Sequence, residues 1–157
     1  MTKGHIAAII AALVVSWASP VASAPRICAV SSADQEQVSR TVHSFYAALT
    51  KDDEAGFSAI TAPTFYAYEV GRRLNGPELS ATIRKAHGSG RIYEWNLGPI
   101  EVHGNCDVIW ATWENHGRVG DSTGMRPVMW LESAALHRDG SRWVLDFLHS
   151  TPVGSAK

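Results

Sequence analysis

The chain carries its helix signals first and its strand signals last, and that order narrows the folds open to it. Four stretches of the second half, residues 91–102, 107–116, 125–137 and 142–151, are rich in aromatic and β-branched residues and read as strands. The link Arg138-Asp139-Gly140-Ser141 is a hairpin signal, because Asp-Gly accommodates positive φ in a two-residue turn. The link from Gly117 to Gly124 is longer and glycine-rich, and predicts a loop. Helices followed by a run of strands imply the α+β class with a mostly antiparallel sheet.

In the first half, Ser32 is placed to cap a helix, with Gln35 at the capping-box position. Val38, Val42, Phe45, Tyr46 and Leu49 then form one apolar stripe, ending near Lys51. Asp52 and Asp53 open a shorter helix through Ile60, which Pro63 closes. Thr64 to Val70 reads as a strand, and Gly71 to Gly76 as a turn-like return. Pro77 suits the first turn of a third helix, which carries Leu79 and Ile83 and stops near Gly88-Ser89-Gly90.

The N-terminus reads as a targeting segment. Lys3 precedes an apolar run from Ile6 to Val15, then Pro20 and the small residues Val21-Ala22-Ser23-Ala24. That is the order of a secretory signal peptide, and the run is shorter than the ~20 residues of a membrane span. Cleavage after Ser23 and after Ala24 both fit, and an uncleaved anchor is the alternative. The expected organisation is a signal peptide over 1–24, an arm over 25–31, one domain over 32–153 and a tail over 154–157, in a periplasmic or secreted protein with no stable membrane span after processing. Export permits a disulfide between Cys28 and Cys106, the only two cysteines; two separate buried thiols are the alternative. Of 14 Lys and Arg only Lys3 is lost with the segment, and all 15 Asp and Glu stay. No clustered basic face marks a nucleic-acid binder, and Arg72-Arg73 reads as a solvated pair.

Strand alternation gives a candidate site. With Asp139-Gly140 as the turn, Leu136 faces Trp143, Ala134 faces Leu145, Glu132 faces Phe147 and Trp130 faces His149. Glu132 and His149 are then diagonal neighbours, and a histidine oriented by a carboxylate is a candidate general acid–base pair. In the alternative, His149 closes the core and Glu132 lies at the rim. Tyr46, Tyr66, Tyr68, Trp95, Trp130 and Phe147 are the candidate ligand-binding aromatics, and such walls suit a small hydrophobic or aromatic molecule. The competing reading gives the aromatics to the core and to a dimer face. Trp110 and Trp113 point to opposite faces of one strand. His43, His87, His103, His116 and His137 show no metal-ligand spacing, so neither a metal nor another cofactor is expected. A phosphate-binding glycine loop and a nucleophile elbow are also missing.

The run Phe45-Tyr46-Ala47-Ala48-Leu49-Thr50-Lys51-Asp52-Asp53, the short helix, strand, Gly76 and small helix after it, and the ending Arg138-Asp139-Gly140-Ser141-Arg142-Trp143-Val144-Leu145 with His149-Ser150-Thr151 resemble the nuclear transport factor 2-like (NTF2-like, SnoaL-like) superfamily. The resemblance spans about Ser32 to Val153. It implies a cystatin-like cone, with N-terminal helices packed in the concave face of a curved sheet, a pocket at the open end, and a homodimer through the convex face. The superfamily hosts isomerases, cyclases, dehydratases, epoxide hydrolases and non-catalytic binders, so it does not fix a reaction. Members similar to ketosteroid isomerase place a Tyr donor on the first helix and an Asp base on the first strand. The nearest positions here are Phe45 and Tyr68, with Tyr46 and Glu69 one residue away and expected to turn aside. Together with the export signal, the resemblance implies an exported pocket protein that binds a small hydrophobic or aromatic molecule; if it is catalytic, it is expected to be a cofactor-independent isomerase, cyclase or lyase. The alternative is a non-enzymatic dimeric accessory or assembly domain.

Overall fold

The computed structural model describes residues 28–154, so the expected signal peptide and the last three residues of the tail lie outside the described residues. The first helix, α1 (Ser32–Thr50), starts one residue earlier than expected. Ser31 is its cap and Asp34 completes the capping box: the Ser31 hydroxyl accepts from Asp34 N at 3.1 Å and the Asp34 carboxylate accepts from Ser31 N at 3.1 Å. Its stripe of Val38, Val42, Phe45, Tyr46 and Leu49 is buried. Asp53 caps α2 (Glu54–Ile60), and Asn75 with Glu78 caps α3 (Gly76–Gly88), which has Pro77 in its first turn.

Strands β1 (Thr61–Glu69) and β2 (Arg72–Asn75) form a tight hairpin, so the expected turn-like return is itself a strand. Its turn residues Val70 and Gly71 both have positive φ, 46° and 75°. Glycine adopts that backbone freely, whereas at Val70 it costs about 1–3 kcal/mol. The stretch expected as one strand over 91–102 divides into β3 (Ile92–Glu94) and β4 (Glu101–Gly104). Pro99 lies in the gap, where it has no N–H to give a ladder. Both pieces pair with β5 (Val108–Asp121), at opposite ends of it.

The glycine-rich link is not a loop. β5 and β6 (Gly124–Asp139) pair continuously from Val108↔His137 to Asp121↔Gly124. The Asp121 carboxylate fastens the turn by accepting from Thr123 N at 2.8 Å and from the Thr123 hydroxyl at 2.5 Å. The glycines serve close packing instead. A Cβ on Gly117 would stand 2.1 Å from the Glu94 carbonyl and 2.8 Å from the Trp130 ring.

β7 (Arg142–Pro152) completes a sheet of order β2-β1-β7-β6-β5-β3 in which β1 and β7 run parallel and the other pairs antiparallel. The three helices pack on its concave face around Phe45, Phe57, Phe65, Ile109, Leu136 and Trp143. Cys28 is bonded to Cys106 across 78 residues, with Cα atoms 5.4 Å apart. A closure of that length stabilises on the order of 4 kcal/mol in the chain-entropy account. Beside it, Arg138 donates to the Cys106 carbonyl at 3.1 Å and pairs with Asp34, which also accepts from Trp143 Nε1 at 3.2 Å. Among the described residues, no helix is long and apolar enough to cross a membrane.

Candidate active site

One β-bulge decides which side chains meet. The β6–β7 turn centres on Gly140-Ser141, with Asp139 opposite Arg142, one residue later than expected. Leu136 faces Leu145, then Ala135 faces Phe147, so Asp146 is the extra residue. The alternation of β7 therefore reverses: Trp143 and Leu145 are buried before the bulge, Leu148 and Ser150 after it. Glu132 faces Ser150, and His149 faces Ser133. The expected Glu132–His149 pair does not form, because the two side chains lie on opposite faces of the sheet. His149 is exposed, meets the Thr151 hydroxyl at 3.2 Å and packs edge-on to Tyr68.

The aromatics fall on two sides of the sheet. Tyr66, Tyr68 and Phe147 cluster on the convex face, with centroids 5.0 to 5.7 Å apart, and do not line the cavity expected to hold a ligand. Tyr46, Trp95 and Trp130 do line a cavity, of about 300 Å³, at the open end of the concave side. Tyr46 meets Trp95 at 5.4 Å, and Tyr93 stacks on Trp95 with an interplanar angle of 5°. Trp113 is buried and Trp110 is 54% exposed, on opposite faces.

Tyr46, Glu69 and Glu132 reach this cavity from three different elements. Tyr46 comes from α1, because residues one apart on a helix differ by about 100° and the buried stripe is that wide. Phe45 and Tyr46 therefore both face inward. Glu69 comes from β1, where alternation turns Phe65, Ala67 and Glu69 inward and Tyr68 outward. Glu132 comes from β6 and is 6% exposed. The residues expected to turn aside are the ones that reach the cavity.

Glu132 is held in place. Its Oε2 accepts from Trp113 Nε1 at 2.5 Å and from Asn115 Nδ2 at 3.1 Å. Asn115, itself fully buried, accepts from the Asn96 backbone N–H at 3.0 Å, which fixes its amide. Burial raises the pKa of Glu132 above the ordinary carboxylate range despite these donors. Glu69 is pushed up to about 7, first by burial and then by the negative charge of Glu132, with the Ser150 hydroxyl opposing. The Tyr46 hydroxyl is buried and has no hydrogen-bond partner among the described residues. Burial and then the nearby Glu132 carboxyl raise its pKa well above the ordinary value. Two buried carboxyls of raised proton affinity and a buried phenol, in one apolar pocket, are suited to moving protons on a bound molecule.

Among the described residues, no group of three or more His, Cys, Asp or Glu is placed to hold a metal ion. Sequence reasoning missed the supports Trp113, Asn115 and Ser150 and set Glu69 aside. The alternation Phe65-Ala67-Glu69 was the signal for Glu69.

Comparison with known structures bears on the fold. An NTF2-like protein from Streptomyces avermitilis, a candidate dehydratase, superposes with a TM-score of 0.67 at 18% identity, covering 78% of this chain and 98% of that one. A ketosteroid isomerase-like protein from Erwinia carotovora atroseptica superposes at 0.64 and 11% identity, covering 79% and 99%. The chain has the NTF2-like fold. The association domain of CaMKII from C. elegans shares this NTF2-like fold too, at 0.63 and 16% identity over 76% and 95%. No protein-family model matches the sequence, and no curated protein sequence is similar to it. At these identities the likeness concerns the NTF2-like fold and leaves the reaction to be argued from the site.

Proposed function

We propose that the protein is an acid–base enzyme, an isomerase, cyclase or lyase, that moves a proton on a small hydrophobic or aromatic carbonyl compound without a cofactor. The observation that carries this is the convergence of Tyr46, Glu69 and Glu132 on one cavity. Glu69 is the general base. With a pKa of about 7 it is partly ionised at neutral pH and strong enough to take a proton from carbon next to a carbonyl. Electron density then moves onto the carbonyl oxygen. Tyr46 donates to that oxygen, while Glu132, anchored on Oε2 by Trp113 and Asn115, raises the proton affinity of Glu69 with its charge. Return of the proton to another carbon completes an isomerisation; loss of a leaving group completes an elimination. His149 and the convex aromatics take no part.

The ketosteroid isomerase-like protein shares the fold with this chain, and the chemistry is argued from the site. The test is deuterium uptake by a panel of cyclic ketones and enones in D2O, followed by NMR. Uptake with the native protein that is lost in Glu69→Gln supports the reading; equal uptake by both proteins rejects it.

A second copy of the chain on the convex face is part of the proposal. Trp110 and Leu131 are 54% and 49% exposed there, an apolar surface that a monomer would leave in water. An assembly domain without catalysis is the second reading that this face supports. Export to the periplasm or medium fits the Cys28–Cys106 bridge, which an oxidising compartment sustains.

A further inference from the structure

The arginines divide into two groups. Arg40, Arg84, Arg118, Arg138 and Arg142 each lie within ion-pair distance of a carboxylate, and Arg73 lies 4.1 Å over the Tyr66 ring. Among the described residues, Arg72, Arg91 and Arg126 have no such partner. All three line the one cavity that also holds Tyr46, Glu69 and Glu132. They come from β2, the segment after α3, and β6. Their placement follows from the sheet: Arg72 stands opposite Glu69 across the Val70-Gly71 turn, and Arg126 opposite Val119. Arg91 contributes to lowering the pKa of Asp121, though the Thr123 hydroxyl does more, and it makes no ion pair there.

Unpaired guanidinium groups converging on the mouth of an apolar pocket are a recognition device for an oxyanion. We infer that the molecule bound in this cavity is amphipathic, with an apolar body against Tyr46, Trp95 and Trp130 and an anionic oxygen group held at the mouth by Arg72, Arg91 and Arg126. The inference rests on the cavity being a ligand site, as the proposed function has it, and adds the charge of the ligand. A carboxylate, a sulfonate and a phosphate share this chemistry. Three donors from separate elements can surround any of them, and each also meets a field that steers anions inward. The other described arginines give the contrast: five have a carboxylate partner and Arg73 has an aromatic one.

The experiment is calorimetric titration of the full chain with four probes of one ring system: 2-naphthalenemethanol, 2-naphthoate, 2-naphthalenesulfonate and 2-naphthyl phosphate. At low salt at least one anion is expected to bind about tenfold or more tightly than the neutral alcohol, and the order among the anions identifies the group. The preference is expected to shrink at high salt, where screening is stronger. Replacing all three arginines, Arg72→Gln, Arg91→Gln and Arg126→Gln together, should abolish the preference and leave alcohol binding and the melting temperature nearly unchanged. Binding of alcohol and anions with equal affinity overturns the anionic inference and spares the pocket reading. Failure of all four probes to bind the native protein overturns both. Retention of the preference in the triple variant assigns it elsewhere and overturns the role of these arginines.

Discussion

Glu69 and Glu132 stand on the same concave wall, two strands apart, with Ser150 of the intervening strand between them, and the charge of Glu132 helps to raise Glu69 to about 7. The raised value has a thermodynamic sign. Between the ordinary 4.5 and about 7 the folded chain binds more protons at Glu69 than the unfolded chain does. Stability therefore falls as pH rises through that window. Glu69→Gln is expected to remove this slope. Denaturant unfolding should find the variant about 1–3 kcal/mol more stable at pH 8 and no different at pH 4.

Tyr46→Phe should separate stability from activity. The hydroxyl is buried without a hydrogen-bond partner, a state that costs about 1–3 kcal/mol. Its removal is expected to raise the melting temperature while lowering proton-transfer turnover about 10²–10³-fold. A destabilised variant with full turnover contradicts the role given to the phenol.

Glu132 is expected to respond to shape and charge separately. Glu132→Gln keeps an acceptor for Trp113 and Asn115 and loses the buried charge, so unfolding free energy at neutral pH should be unchanged or higher. Glu132→Leu strands two buried donors and should cost about 2–5 kcal/mol, measured by chemical denaturation.

The convex face should behave as an interface. Trp110→Glu or Leu131→Glu is expected to convert a dimer to a monomer in sedimentation without disturbing ligand binding in the cavity behind the sheet. His149→Gln, on that same convex side, should leave turnover unchanged.

Much of this architecture was legible in the chain. The stripe from Val38 to Leu49 and the Pro77 start signal placed α1 and α3 within a residue, since side-chain periodicity and capping act locally. The long strands were legible too, except that Gly117 and Gly120 imitate a loop; their reason, close approach to Glu94 and Gly124, is tertiary. The site was harder because it depends on register. Phe147 and Leu148 are both apolar, so pattern alone does not reveal that Asp146 is an extra residue, and that one residue moves His149 to the opposite face. Tyr46 illustrates the contrary case, where a helix tolerates a one-residue offset that a strand does not.

The central claim, that Glu69 is the base of a proton-transfer site, is tested most directly by the pH dependence of kcat/KM for deuterium exchange into the best ketone substrate. The account predicts a rate that rises with pH through an apparent pKa near 7 and then levels, with Glu69→Gln reduced about 10²–10⁴-fold and lacking that step. A profile with no step near 7, or one that persists in Glu69→Gln, would contradict it.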